Sequence, residues 1–286
     1  MPYLDSFDSW LNAYNVVLST KFWISVYAVV LSLMSAAQNT KKLQHLWLTR
    51  HLRRVWGIKD GEQVIVVCSE LDEPANRQQV EPREFIYSLK YGDVDAYFDV
   101  LVTLLRLYPS IRMRVMSAGE IETTRLDLSR HIIVIGGPDY NALAERVLSW
   151  GQMQFEYRIP FSATISSEHP EEIVLYDNVR QTEYCHVTET RDYGYFESIP
   201  NPHNPKNRII MIGGCHTIGV AGAVKAFAMA VSEDGEVPSS VLRNARIVAN
   251  RIRKMSSFSA LVEVERIGQT LSVPLVREDN ITVSGQ

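Results

Sequence analysis

Two pairs of adjacent glycines each follow a run of apolar residues and precede a helical pattern. Gly136 and Gly137 stand within "HIIVIGGPDYNALAERVL", and Gly213 and Gly214 stand within "RIIMIGGCHTIGVAGAVKAF". Glycine lets the backbone approach a ligand closely. The helix that begins next presents unbonded N–H groups and a partial positive charge, which attract phosphate. The pattern therefore predicts two turns that bind an anionic ligand.

The residues of these two turns are the expected ligand contacts. Neither turn matches the G-x-G-x-x-G fingerprint or a phosphate loop with Gly-Lys-Ser/Thr, so the nucleotide itself is not specified. The alternative is that the glycines serve turn geometry alone. The predicted ligand-binding residues are Gly136, Gly137, Pro138, Asp139, Asn141, Gly213, Gly214, Cys215, His216, Thr217 and Gly219.

Three residues are candidates for catalytic acid–base chemistry: Glu120, Asp139 and His216. Glu120 follows the strand pattern "IRMRVMSA", where a carboxylate could bind ribose hydroxyls or act as a general base; a surface charge is the alternative. Asp139 could contact the ligand or cap its helix. His216 could donate a hydrogen bond to the ligand, or act as the base for a Cys215 thiolate at a helix N-terminus. An ordinary turn position is the remaining alternative for Cys215 and His216.

The glycine turns resemble those of the LOG-like (lonely-guy) and SLOG Rossmann-like superfamily, whose members bind or cleave nucleotide derivatives. In that superfamily a strand runs into Gly-Gly and then a Gly-Thr pair before a helix. Here "GGCHTIGVAGA" keeps Gly213, Gly214, Thr217 and Gly219. The resemblance covers two short segments and implies a nucleotide or NAD-derived ligand. LOG-type hydrolases carry a glutamate on the next helix, which "VAGAVKAF" lacks, so the resemblance implies binding better than N-glycosidic cleavage.

Strand and helix patterns alternate along residues 58–286. Unbroken β-branched runs such as "EQVIVVCSEL" are typical of strands buried on both faces, and apolar residues from Val94 to Tyr108 recur at helical spacing. This predicts an α/β fold, a Rossmann-like and mainly parallel sheet with antiparallel additions. Because ligands bind beyond the carboxyl ends of such strands, both glycine turns should lie at the mouth of one sheet.

An aromatic and proline-rich segment, "RDYGYFESIPNPHNPKNR", immediately precedes the second glycine strand. Its prolines enforce an extended path, so it could fold over the site as a wall that places Asn201 and Asn204 near a ligand. The alternative is a purely structural connection.

Residues 22–40, "FWISVYAVVLSLMSAAQNT", carry no charge. A spanning helix needs about 20 apolar residues, and aromatic residues such as Trp23 and Tyr27 favour the membrane interface. Basic residues cluster between Lys41 and Arg54, which by the positive-inside rule leaves the C-terminal part in the cytoplasm. We expect an N-terminal region, residues 1–57, with a hydrophobic helix that anchors residues 16–40 in the inner membrane. The alternative is a soluble cytoplasmic protein with a buried or oligomer-forming helix.

Composition excludes some functions. The 286-residue chain has a formal net charge of −4, which argues against a general nucleic-acid binder. Its three cysteines are widely spaced and follow no zinc-ligand pattern, so we predict no metal site. A basic helical pattern at residues 41–58 could lie on anionic lipid headgroups or pack on the main domain.

Together these patterns favour a membrane-anchored cytosolic domain that binds a nucleotide or nucleotide-derived molecule. We expect a homo-oligomeric sensor or effector of bacterial signalling or antiphage defence, whose self-association responds to the ligand. One alternative is a nucleoside or NAD glycohydrolase, in which Glu120 or Asp139 would stabilise a ribosyl cation. Another is a structural self-assembly protein without a ligand.

Overall fold

The computed structural model describes residues 23–32, 46–69, 91–123, 127–158, 174–186, 191–229, 236–252, 257–267 and 270–284. The chain divides into two compact units, residues 1–50 and residues 51–286. In the first unit, residues 23–32 are helical and expose Trp23, Ile24 and Tyr27. Among the described residues, no helix has both the length and the apolar character needed to cross a bilayer. The rest of the predicted anchor, residues 16–22 and 33–40, lies outside the described ranges.

Within the described residues, the second unit combines eleven strands with six α-helices and two short 3-10 helices. The strands are β1 Gln63–Cys68, β2 Arg112–Ser117, β3 His131–Ile135, β4 Phe155–Arg158, β5 Val174–Asp177, β6 Thr182–Tyr184, β7 Arg191–Asn201, β8 Asn204–Gly214, β9 Ser257–Ile267, β10 Thr270–Leu271 and β11 Ile281–Ser284. The helices are α1 at residues 46–56, which begins in the first unit, α2 Tyr91–Leu107, α3 Ala118–Thr123, α4 Ala142–Ser149, α5 Thr217–Phe227 and α6 Ser239–Arg251.

The main sheet is parallel on one side and antiparallel on the other. In the described part of the chain it has eight strands in the order β10-β9-β7-β8-β3-β1-β2, and β11 pairs with β9. Strands β2, β1, β3 and β8 run parallel to one another, whereas β7 and β9 add antiparallel pairs. The predicted α/β class is therefore confirmed, with the antiparallel part of the sheet as large as the parallel part among the described residues.

Different elements cover the two faces of this sheet. Val64 and Val66 of β1 lie in a core with α1, α2, α5 and α6. Ile65 and Val67 of the same strand point to the other face and lie in a second core with α4, β4 and β5. Both faces of β1 are buried, which explains its unbroken apolar run.

A small antiparallel sheet of β4, β5 and β6 lies beside the second face among the described residues. Glu197 of β7 joins it to the main sheet, because its carboxyl oxygens accept the backbone N–H groups of Gln154 at 2.7 Å and Phe155 at 3.4 Å. The Gln154 side-chain amide donates to Asp177 at 2.8 Å. This buried network fixes the position of β4.

The aromatic and proline-rich segment forms β7 and the start of β8, an antiparallel hairpin. Its turn lies at the amino-terminal edge of β8, opposite the glycine turns. Asn201 Nδ2 donates to the carbonyl oxygens of Leu128 and Arg130, both at 2.7 Å, and so ties the hairpin to the loop before β3. The expectation that Asn201 and Asn204 approach a ligand at the glycine turns is therefore wrong.

The basic helical pattern at residues 41–58 is helical over residues 46–56. Its last turns belong to the second unit, where Leu52, Val55 and Trp56 are fully buried in the first core. Trp56 Nε1 also donates to the carbonyl oxygen of Phe227 at 3.1 Å. For these residues the structure supports packing on the main domain, which was one of the two predicted alternatives.

Candidate functional site

The two glycine turns lie side by side at one edge of the main sheet. Strands β3 and β8 are parallel neighbours, and Ile135 pairs with Ile212 immediately before the turns. Gly136 has a φ of +99°, a conformation that favours glycine, and its N–H donates to the carbonyl oxygen of Ile212 at 2.9 Å. The turns therefore lie next to each other, although Gly136, Gly213 and Gly214 are buried and only Gly137 is partly exposed.

The phenol of Tyr157, from β4, fills the space between the turns. A methyl group added at Gly137 would lie 3.4 Å from its hydroxyl oxygen, and one added at Gly213 would collide with the same atom. The hydroxyl oxygen accepts the N–H of Gly214 at 3.3 Å. Enclosure raises the pKa of Tyr157 above its usual range, so this phenol stays protonated at neutral pH.

The N-terminus of α5 is already capped by a carboxyl side chain from the protein itself. Asp192 of β7 is fully buried, and its Oδ2 accepts the N–H of Gly219 at 2.6 Å and that of His216 at 3.2 Å. Burial raises the pKa of Asp192, whereas the N–H groups of Gly219 and Tyr193 oppose that rise. The place where a phosphate was expected is thus occupied by a carboxyl group.

Close backbone packing explains the small residues of "CHTIGVAGA". A methyl group at Gly219 would collide with the backbone of Tyr193, and one at Gly194 would collide with the backbone of Gly219. At Gly222 an added methyl would lie 2.8 Å from Val264. These glycines let α5 lie directly against β7 and β9, which gives Gly219 a packing role.

The first turn continues into a short 3-10 helix, Pro138–Tyr140, and then into α4. Asn141 is buried, and its Oδ1 accepts the N–H groups of Leu143 at 3.1 Å and Ala144 at 3.2 Å. It is therefore the N-cap of α4. Pro138 is half-buried, and Asp139 is exposed at this edge.

Glu120 lies apart from the glycine turns, because β1 separates its strand β2 from β3. Its Oε2 accepts the N–H of Ser117 at 3.1 Å, and Ser117 Oγ accepts the N–H of Glu120 at 3.4 Å. This reciprocal pair is a capping box at the start of α3. The structure thus gives Glu120 a capping role and does not bring it together with His216.

His216 is the exposed side chain of the second turn. Its ring meets that of His186 edge to face, with centroids 4.5 Å apart. His186 Nδ1 in turn lies 3.7 Å from Asp192 Oδ1. Two imidazoles and a buried carboxyl group therefore form a chain that ends at the protein surface.

Cys215, beside His216, is held as a thiol. Its Sγ donates to the carbonyl oxygen of Tyr184 at 3.2 Å. Burial, and to a smaller extent the nearby Asp192, raise the pKa of Cys215 to about 12. Because only a thiolate is nucleophilic, these surroundings argue against a Cys215–His216 nucleophile–base pair.

Sequence reasoning missed Tyr157, His186 and Asp192. The alternation in "QFEYRI" places Phe155 and Tyr157 on one face of a strand, but not at the glycine turns. Asp192 is an acidic residue in a largely aromatic and apolar strand, which was a usable signal for a buried polar role. Over the described residues, no group of three His, Cys, Asp or Glu side chains could hold a metal ion.

Comparison of the chain with protein-family models, with curated proteins and with solved structures finds no significant match.

Proposed function

We propose that residues 51–286 form a Rossmann-like domain that binds a nucleotide or a nucleotide-derived small molecule. One observation carries this proposal. In the order β2-β1-β3-β8, strand β2 is added on one side of β1 and strand β3 on the other. Ligands of open α/β sheets bind beyond the carboxyl ends of the strands at such a reversal, and the Gly136–Gly137 turn follows β3 at that point.

The ligand contacts come mainly from the first turn and from His216. Gly137 and Pro138 are half-buried there, and Asp139 is exposed, so a carboxylate is available to accept hydrogen bonds from ribose hydroxyls. His216 supplies a hydrogen-bond donor for a phosphate oxygen. The amides of α5 contribute less, because Asp192 accepts two of them.

The proposal includes a membrane anchor in the first unit. Trp23 and Tyr27 are 65% and 66% exposed on an apolar helix, which is unfavourable in water. Extraction of membranes with alkaline carbonate tests this part separately. An anchored chain stays in the pellet, and release into the supernatant would contradict anchoring.

Ligand binding is tested on the full chain with ATP, ADP, AMP, NAD⁺ and ADP-ribose, by thermal shift and then by calorimetry. His216→Ala and Asp139→Asn should each weaken binding about tenfold, as expected for a hydrogen bond to a charged group. His203→Ala and Asp127→Asn are matched controls, because both residues are exposed at the opposite edge of the sheet. The controls should bind like the wild type.

Two results would contradict the proposal. One is the absence of any shift across the panel with a folded wild-type protein. The other is equal weakening in the site variants and in the controls. The same incubations are assayed for released nicotinamide or nucleobase, and release that Asp139→Asn abolishes would favour a glycohydrolase instead.

A further inference from the structure

Two histidines and a buried carboxyl group lie together beside the second glycine turn. His186 follows strand β6, and His216 immediately precedes α5. Their rings meet edge to face, with centroids 4.5 Å apart. The His216 side chain is exposed, whereas that of His186 is only 16% exposed and lies near Asp192. His216 is therefore the member of this cluster that a ligand can reach most easily.

The inner imidazole has an unsatisfied nitrogen. Nδ1 of His186 is buried and has no hydrogen-bond partner among the described residues, and it lies 3.7 Å from Asp192 Oδ1. That separation is too long for a hydrogen bond. A shift of about 1 Å closes this gap, and a protonated imidazole then donates a charge-assisted hydrogen bond to the carboxylate. The cluster can therefore stabilise the positive charge that an added proton brings.

The arrangement favours one added proton over two. A positively charged imidazole is attracted to the face of a neutral aromatic ring, whereas two positive charges at this distance repel each other. Burial raises the pKa of Asp192, and positive charge on His186 or His216 opposes that rise. The two rings are therefore suited to share a single positive charge as a coupled pair.

The remaining titratable or charged groups around the cluster belong to β6, β7, β9 and the turn before α5. Among the described residues they are Tyr184, Cys185, Arg191, Tyr193, Cys215 and Glu263. Burial raises the pKa values of both tyrosines and of Cys215, so these three groups stay protonated near neutral pH. Arg191 and Glu263 form an ion pair at 3.2 Å, so their charges compensate. Changes of charge near neutral pH therefore come mainly from Asp192 and the two histidines.

We propose that this cluster binds the phosphate group of the ligand together with one proton. The phosphate accepts a hydrogen bond from His216, and its negative charge retains a proton on the His186–His216 pair. His186 is a positioning residue, because it contacts the His216 ring and links the positive charge to Asp192. The inference rests on the proposed function and narrows the ligand to a nucleotide with a phosphate group, as opposed to a nucleoside.

Proton uptake makes binding depend on pH. As the pH rises, the imidazoles of the free protein lose their proton, so binding must recover it and the affinity falls. A phosphate monoester such as AMP has a second pKa of about 6, so it is mostly doubly charged above pH 6.5. The Kd for AMP should therefore rise about fivefold between pH 6.5 and pH 8.5, as expected when a bound anion makes protonation of one imidazole about tenfold more favourable.

The test is calorimetry of AMP and ADP binding to the full chain, in one mild detergent throughout. Buffers of different ionisation enthalpy at pH 7 give the number of protons taken up per ligand, which should be about 0.5. Adenosine lacks the phosphate, so it should bind at least about tenfold more weakly and without proton uptake.

His216→Gln and His186→Gln should each lower the proton uptake to less than half of the wild-type value. His216→Gln removes the contact with the phosphate. His186→Gln leaves an exposed imidazole that has lost its link to Asp192, and exposed ion pairs are weak in water. A merely structural role of His186 would instead weaken binding equally at every pH.

His203→Gln and Cys185→Ser are the matched controls. His203 is also exposed, and its ring meets that of Trp150 edge to face with centroids 5.5 Å apart, but at the opposite edge of the sheet. Cys185→Ser removes the neighbouring thiol. Both controls should keep the wild-type proton uptake, and thermal melting shows whether each variant is folded.

Binding of AMP and ADP without proton uptake, at a Kd independent of pH, would overturn this inference and leave the proposed function standing. Wild-type uptake in the folded His186→Gln variant would exclude the paired histidines. Adenosine that binds as tightly as AMP would exclude phosphate as the group recognised. If no nucleotide binds to the folded wild-type chain, both proposals fail.

Discussion

Asp192 Oδ2 lies 2.6 Å from the backbone nitrogen of Gly219, so strand β7 supplies the carboxyl oxygen that accepts this N–H group at the start of α5. Helix N-termini bind phosphate because their first N–H groups lack partners. Here two such groups, those of His216 and Gly219, have an internal acceptor. The second glycine turn thus stabilises the fold, and the proposed ligand site relies more on the first turn.

Replacing Asp192 by alanine should destabilise the protein and expose the amides of α5. The lost cap and the unpaired buried N–H group of Gly219 together should lower the free energy of unfolding by about 2 kcal/mol. Urea denaturation measures this change, and Asp279→Ala, at an exposed position, is the control. A loss below about 0.5 kcal/mol, within the range of ordinary surface substitutions, would contradict the capping role.

Gly219→Ala and Gly137→Ala should differ sharply. Alanine normally stabilises a helix interior by about 1 kcal/mol relative to glycine. At Gly219 the added methyl meets the backbone of Tyr193, which cannot move without shifting β7, so we expect a net loss of about 2 kcal/mol. At Gly137 it meets only Tyr157 at ordinary contact distances of 3.4 and 3.5 Å, so little change is expected.

Chemical denaturation of both alanine variants gives the comparison directly. A Gly219→Ala variant as stable as the wild type would show that α5 and β7 are less tightly packed than described. A Gly137→Ala variant with a large loss of stability would show that the first turn has no room beside Tyr157.

Glu197 should make stability depend on pH. Burial is the largest cause that raises its pKa, from the ordinary 4.5 to about 8. The pKa of Glu197 is higher in the folded state than in the unfolded state. Its protonated form therefore contributes to the free energy of unfolding in full below about pH 4.5, and this contribution is lost as the pH rises towards 8. Glu197→Gln keeps a neutral acceptor for the N–H groups of Gln154 and Phe155.

The measurement is the free energy of unfolding of wild type and Glu197→Gln between pH 5 and pH 9. Between pH 5 and pH 9, the free energy of unfolding of the variant relative to that of the wild type should increase by about 2 kcal/mol or more, since one pKa unit corresponds to about 1.4 kcal/mol. Parallel curves for the two proteins would contradict the raised pKa. Other titrating groups contribute equally to both proteins, so their contributions cancel in the difference between the two free energies.

Tyr157→Ala should tighten binding of phosphate-bearing ligands. Removal of the ring opens the space between the glycine turns and frees the N–H of Gly214, so calorimetry should show a several-fold lower Kd. Tyr157→Phe keeps the ring and should show a smaller gain. Tyr176→Ala, on the neighbouring strand β5, controls for loss of an aromatic ring from the small sheet. Weaker binding in Tyr157→Ala would mean that the phenol contacts the ligand.

Local patterns predicted the parallel half of the sheet well. The β-branched runs of β1, β3 and β8 identify buried strands, and the position of each glycine pair after its strand places both turns at one edge. Non-local pairing was harder to predict. Val283, near the C-terminus, lies in β11 and pairs with Phe258 of β9. A four-residue strand of ordinary polarity gives no periodic signal.

The site was harder to predict than the sheet. Asn141 and Glu120 have side chains suited to a ligand or to a cap, and only the structure shows that the Asn141 oxygen accepts N–H groups of α4 and the Glu120 oxygen accepts the N–H of Ser117, just before α3. Asp192 and Tyr157 reach the turns from β7 and β4, so their role depends on how distant segments pack. Residue type and spacing do not contain that information.

Gly194 of β7 and Gly219 of α5 meet backbone to backbone, without side chains between them. Side chains usually absorb small displacements by changing rotamer, and this contact has none. Strand β7 and helix α5 therefore have little room to move independently at this point. A displacement of the start of α5 at His216 would be passed directly to β7, which pairs with β9.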